Sequence, residues 1–118
     1  MEKANKIQAY KFGLFSETIT CFFLRIKGYK ILERRYKTNL GEVDIIAKKS
    51  GVIIFIEVKA RKNGETDVLA QHQMKRIIKS GELFIAKHRQ FASFDLRFDL
   101  IIIRPFKLPE HIINAWQC

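Results

Sequence analysis

Apolar side chains return every three or four residues along the start of the chain. Ile7, Tyr10, Leu14, Cys21 and Leu24 lie on one helical stripe, and Phe12, Phe15, Ile19, Phe22 and Ile26 on a second. A helix apolar on two faces is expected to be largely buried. Gly28 supplies its stop. The pattern then changes period. Tyr29 to Lys37 is an extended run with exposed basic positions, and Asn39-Leu40-Gly41 is a turn. Glu42 to Lys48 is a short strand, Lys49-Ser50-Gly51 a hairpin turn, and Val52 to Ala60 a strand so rich in β-branched and aromatic residues that a central place is expected. Arg61 to Thr66 is a polar loop. Asp67 to Gln90 returns to helical spacing, with Ala70, Met74, Ile77, Gly81 and Phe84 as its core stripe. Arg97 to Arg104 is a last buried strand, stopped by Pro105. After Pro109 a short turn of helix is expected to carry Ile112, Ile113 and Trp116.

The predicted order is α-β-β-β-α-β. Three consecutive strands make a meander, and the crossover helix returns the chain so that the fourth strand can lie parallel to a neighbour. The fold class is α/β: a mixed central sheet flanked by helices, in one domain over residues 1–118.

Composition narrows the function. The chain has 118 residues, 47% of them hydrophobic, which excludes wholesale disorder. Its 22 Lys+Arg against 12 Asp+Glu leave a formal charge of +10. A polyanionic partner is expected, nucleic acid first and an anionic membrane second. Cys21 and Cys118 cannot make a disulfide framework, which suits a reducing compartment. Met1 to Lys11 is too polar for a signal peptide, and no apolar run is long enough to span a bilayer. A soluble cytoplasmic protein with no membrane partner is the expectation.

Four residues carry candidate chemistry. Strand side chains alternate, so Glu57 and Lys59 share a face, as do Glu42, Asp44 and Ile46 on the preceding strand. The hairpin pairs these two strands, and opposed side chains on paired strands lie about 4.5–5.5 Å apart at Cβ. Asp44 is therefore expected to approach Glu57. Glu17 sits between Leu14 and Cys21, where the first stripe calls for an apolar residue. Each feature alone fits a solvated face or an ion pair. Together they offer three carboxylates and a lysine from three elements. Two unit charges 4 Å apart repel by about 4 kcal/mol at an effective dielectric near 20. Lys59 offsets part of that, and a hard divalent cation would remove it. His72, His88 and His111 are too scattered, and the cysteines too far apart, for a zinc site.

The remaining polar residues are weighed on the same terms. Lys75 fits a phosphate contact and a solvated basic helix equally. Gln71, one turn earlier, can share its face. Arg34, Arg35 and Lys37 alternate with Tyr36, which suits a nucleic-acid backbone but suits a charged edge strand slightly better. Asp99 is expected to be structural, His111 structural or exposed, and Trp116 a core or tail anchor.

Gly41-Glu42-Val43-Asp44-Ile45-Ile46-Ala47 followed by Phe55-Ile56-Glu57-Val58-Lys59-Ala60-Arg61 resembles the paired signature of the PD-(D/E)xK nuclease superfamily. The closer resemblance is to its uncharacterised YraN-type family, itself similar to archaeal Holliday junction resolvases. Gly13 and Glu17, Gly28 to Leu32, Lys75, Arg97-Phe98-Asp99 and His111 to Ala115 extend it over nearly the whole chain. Ser16 and Thr20 stand where the family usually has Gly and Ala.

The resemblance implies a restriction-endonuclease-like core and a metal-dependent deoxyribonuclease, acting at branched DNA by family analogy. It implies Glu17, Asp44 and Glu57 as metal-associated carboxylates, with Glu17 acting through water. Lys59 would be the catalytic lysine and the Val58 main-chain carbonyl a further ligand, with Mg²⁺ or Mn²⁺ as the ion. Lys75, Arg61, Arg34, Arg35 and Gln71 are then the candidates for the DNA backbone, and a homodimer follows by analogy only. The rival reading is a nucleic-acid-binding module of the same fold that does no chemistry.

Overall fold

The structure is a computed structural model that describes residues 2–64 and 69–116, with side chains from Lys11 onward. The elements are α1 (Glu2–Ile26), β1 (Lys30–Thr38), β2 (Gly41–Lys49), β3 (Val52–Ala60), α2 (Gln71–Lys87), β4 (Asp95–Ile103) and β5 (Glu110–Trp116). The strands form one sheet in chain order. Neighbours run antiparallel except β3 and β4, which run parallel with Val52 beside Asp95 and Ala60 beside Ile103. The crossover through α2 is what makes that pair parallel, as the α-β-β-β-α-β order requires.

The two faces of the sheet are covered separately. Ile53, Phe55, Phe98, Leu100 and Ile102 pack under α2 with Ile77 and Phe84. Ile45, Ala47, Ile54, Ile56, Ile101 and Ile103 pack under α1 with Cys21 and Leu24. The continuous apolar run of β3 thus reflects burial on both faces. Gly81 lets α2 settle onto β3: a Cβ there would stand 3.1 Å from the Phe55 ring.

Four sequence expectations are corrected. The tail after Pro109 is not helical. Glu110 to Trp116 forms β5, because β4 offers a free ladder edge and the buried Trp116 packs on Phe98 with centroids 5.8 Å apart. Pairing across the sheet overrides a segment too short to hold itself helical. The second stripe of α1 is not buried either. Phe12, Phe15, Phe22 and Ile26 are exposed, since the sheet accepts only the Cys21–Leu24 face. The second helix is shorter than expected: it ends at Lys87, and Arg89–Phe91 is a separate 3-10 turn. The predicted start at Asp67 lies outside the described residues, and Ala70 caps the helix exposed rather than joining its core. The fourth strand begins at Asp95, two residues before Arg97.

Candidate active site

The last paired rung of β2 and β3 joins Ile45 to Ile56, and Asp44 and Glu57 follow it as the next opposed positions. There the ladder opens. The freed Val58 N–H donates instead to Asp44 Oδ2 at 2.8 Å. The pleat also breaks at this point: Val43 joins the cluster under α2 while Ile45 joins the one under α1. Asp44 is thereby held at the rim of the sheet.

Glu57 is 7% exposed, among the most buried charged residues described. Its carboxyl is pushed up to about 9 by burial first, then by the negative charge of Asp44 and by a hydrogen bond shared with it. Lys59 Nζ stands 3.7 Å from Glu57 Oε1 and counters only part of this. Glu57 therefore keeps its proton when nothing else neutralises it.

Glu17 reaches toward the same rim from α1. Its carboxyl is raised by burial and by Asp44, against the pull of Arg35, whose Nε donates to Glu17 Oε1 at 3.2 Å. Among the described residues no three His, Cys, Asp or Glu side chains gather closely enough to cage an ion by themselves. The Asp44–Glu57 pair still fits Mg²⁺, which usually takes one or two protein carboxylates and completes its shell with water and phosphate oxygens.

The pair opens into a cleft of about 310 Å³ lined by Gly41, Glu42, His72, Gln73, Arg76 and Ile77. Sequence alone sets His72 aside as a zinc ligand and marks neither Gln73 nor Arg76 for the site. Their signal is the three- and four-residue spacing onto the face that also bears Ile77, legible only once α2 is known to begin at Gln71. A second cleft of about 570 Å³ adjoins across Gly41 and Arg76, with Lys75 and Lys79 on one wall and Thr38, Asn39 and Leu40 on the other. Thr38 locks that wall: its Oγ1 accepts from the Leu40 and Gly41 amides and bonds Ser80 Oγ at 3.0 Å.

Other expected residues fall elsewhere. Lys75 lies in the neighbouring cleft, not the acidic one, and Gln71 lines neither. Arg34 donates to Thr18 Oγ1 at 3.1 Å, so both β1 arginines turn onto α1 from an edge strand. Arg61 Nη1 donates to the Ala60 carbonyl at 2.8 Å, beyond the end of β3. Asp99 is structural, as expected. It is fully buried and accepts from Arg97, from His111 Nε2 at 2.7 Å and from the Asn114 amide at 2.9 Å. Lys27 Nζ donates in turn to His111 Nδ1 at 2.8 Å, and Arg97 to the Tyr29 hydroxyl at 2.6 Å. This network sews β5 and the end of α1 to β4.

Fold and rim together define a mixed α/β domain, consistent with a restriction-endonuclease-like core, that presents two acids and a lysine where β2 and β3 part. The profile of the uncharacterised protein family UPF0102 matches residues 16–103, and the chain belongs to that family. It is 42% identical over 114 residues to a UPF0102 protein of Rhodopseudomonas palustris strain BisA53, covering 95% of this chain and 88% of the relative. It is 40% identical over 111 residues to a UPF0102 protein of Agrobacterium fabrum, covering 92% and 91%. Among the described residues no helix is long and apolar enough to cross a membrane.

Proposed function

We propose that this chain is a metal-dependent nuclease of the PD-(D/E)xK type that hydrolyses DNA phosphodiesters, working in the cytoplasm where DNA lies. The observation that carries the reading is the Asp44–Glu57 pair. A binding protein for a polyanion gains nothing from burying Glu57 against a second acid, with its carboxyl raised to about 9, on a chain of net charge +10. A cation site explains both.

Asp44 and Glu57 would hold the ion. Strand geometry sends the Val58 carbonyl to the same side as its N–H, which donates to Asp44, so that carbonyl is available as a further ligand. A bound divalent cation would polarise the phosphodiester and lower the pKa of the attacking water. Lys59 orients that water and stabilises the negative charge developing on the phosphoryl oxygens. Glu17, which Arg35 holds, would act on the ion through water. Arg76, Lys75 and Lys79 draw the strand toward the clefts.

The test is incubation of end-labelled four-way junction, flap, single-strand and duplex DNA with Mg²⁺, Mn²⁺ or EDTA, beside Asp44→Asn. Metal-dependent cutting absent from the variant is the expected result. Folded protein that binds DNA and cuts none of these would mark a non-catalytic binding module instead.

A further inference from the structure

One rim feature has no part in the core or in the acidic cleft. The loop after β4 runs Arg104-Pro105-Phe106-Lys107-Leu108-Pro109. Phe106 is 105% exposed and Leu108 87%. A single exposed apolar residue is ordinary, but Phe106 is also held at φ +58°, which bulky side chains rarely adopt. Such outliers concentrate at functional sites. Prolines bracket the loop, and the Lys107 amide donates back to the Arg104 carbonyl, so the ring is presented on an ordered turn.

Beside this loop lies a mainly apolar notch of about 390 Å³ lined by Phe12, Ala60, Arg61, Lys62 and Pro105. Ala60 directly follows Lys59, and the Arg61 amide donates to the Ile103 carbonyl at 2.9 Å, which ties the notch to the end of the sheet that bears the acids. The notch thus lies at the same end of the sheet as the acids but on the face that α1 covers, across the rim from the acidic cleft under α2. An aromatic floor, an exposed second ring and flanking cations form the combination that binds single-stranded nucleic acid, where bases stack on rings while cations meet phosphates.

We propose that the notch and the Phe106 loop hold an unpaired nucleotide of the nucleic-acid strand where it crosses the rim that bears the acids. The base stacks on Phe12 or Phe106, and Lys62 and Lys107 meet its phosphates. This deepens the nuclease reading and rests on it: the substrate class is DNA with unpaired nucleotides, because bases within a continuous duplex cannot reach such a platform.

The experiment is fluorescence anisotropy in EDTA with a labelled single strand, a fork with unpaired arms and a blunt duplex. Phe106→Ala and Phe12→Ala are compared with the parent, each checked for unchanged thermal unfolding. The expected result is roughly ten-fold weaker binding of single strand and fork, with duplex binding unchanged. Equal loss on duplex, or no loss on any DNA, overturns the proposal. So does release of the Phe106→Ala variant from anionic phosphatidylserine vesicles with DNA binding intact, which would make the loop a membrane contact. Ring-dependent binding without metal-dependent cutting leaves the notch standing and removes the nuclease. Cutting that ignores both rings does the reverse.

Discussion

The main-chain N–H of Val58 donates to the Asp44 carboxylate at 2.8 Å, two residues past the last position at which β3 pairs with β2. A side chain has taken over a backbone partner where two strands part. The acid is therefore oriented by the sheet itself, and Glu57 and Lys59 are brought alongside by the two-residue alternation of β3.

Asp44→Asn and Glu57→Gln are expected to abolish metal-dependent cleavage and to weaken Mg²⁺ binding while leaving DNA binding intact or stronger. Asp44→Asn removes a charge that repels the phosphate backbone, and Glu57→Gln removes one only once metal has displaced the Glu57 proton. Cleavage assays beside calorimetric Mg²⁺ titration check both. Activity retained by Asp44→Asn would place the chemistry elsewhere.

Glu57 also links pH to stability. Its carboxyl is raised from 4.5 to about 9, so the fold keeps a proton that the unfolded chain has already lost. The stability this confers is full below about pH 4.5 and is lost as pH rises toward 9. Without metal, Glu57→Gln should therefore gain on the parent steadily over that window, with the difference in Tm widening toward alkaline pH. A constant offset between the two melting curves would contradict the raised carboxyl.

Metal binding must displace that proton. Below pH 9, Mg²⁺ affinity should rise by about ten-fold per pH unit, with about one proton released per ion. Calorimetry in buffers of different ionisation enthalpy measures the release directly, and a value near zero would mean that Glu57 is not a ligand.

Lys59→Ala should lower the cleavage rate by about 10²–10³ through loss of charge stabilisation in the transition state. Mg²⁺ binding should persist, because Asp44 and Glu57 remain. Single-turnover cleavage at saturating Mg²⁺ separates the two effects.

The Asp99 network makes a stability prediction of the opposite sign. Burial alone would raise its carboxyl, but hydrogen bonds from His111 and Arg97 and the Asn114 amide outweigh it and hold the group below 3.8. Its contribution is present above the unfolded value and lost as pH falls through the lower folded one. Asp99→Asn should cost about 3 kcal/mol near neutrality, by leaving the half-buried Arg97 guanidinium without its counter-charge. The gap to the parent should close in acid. Denaturant melts at several pH values test this.

The amino-acid pattern by itself determined the α-β-β-β-α-β order, the central place of the Val52 to Ala60 strand and the approach of Asp44 to Glu57. These follow from local periodicity and a short hairpin turn, which act over a few residues. Only the tertiary structure decided that Glu110 to Trp116 is a strand, since its partner on β4 begins fifteen residues earlier at Asp95 and supplies the hydrogen bonds. It alone decided which stripe of α1 is buried, because Cys21 and Leu24 meet the sheet and Phe15 and Phe22 do not. The same holds for Arg35 on Glu17, and for Arg76 and His72 beside the acids. Those neighbours are set by how α1 and α2 cross the sheet, a relation between distant segments that no local period encodes.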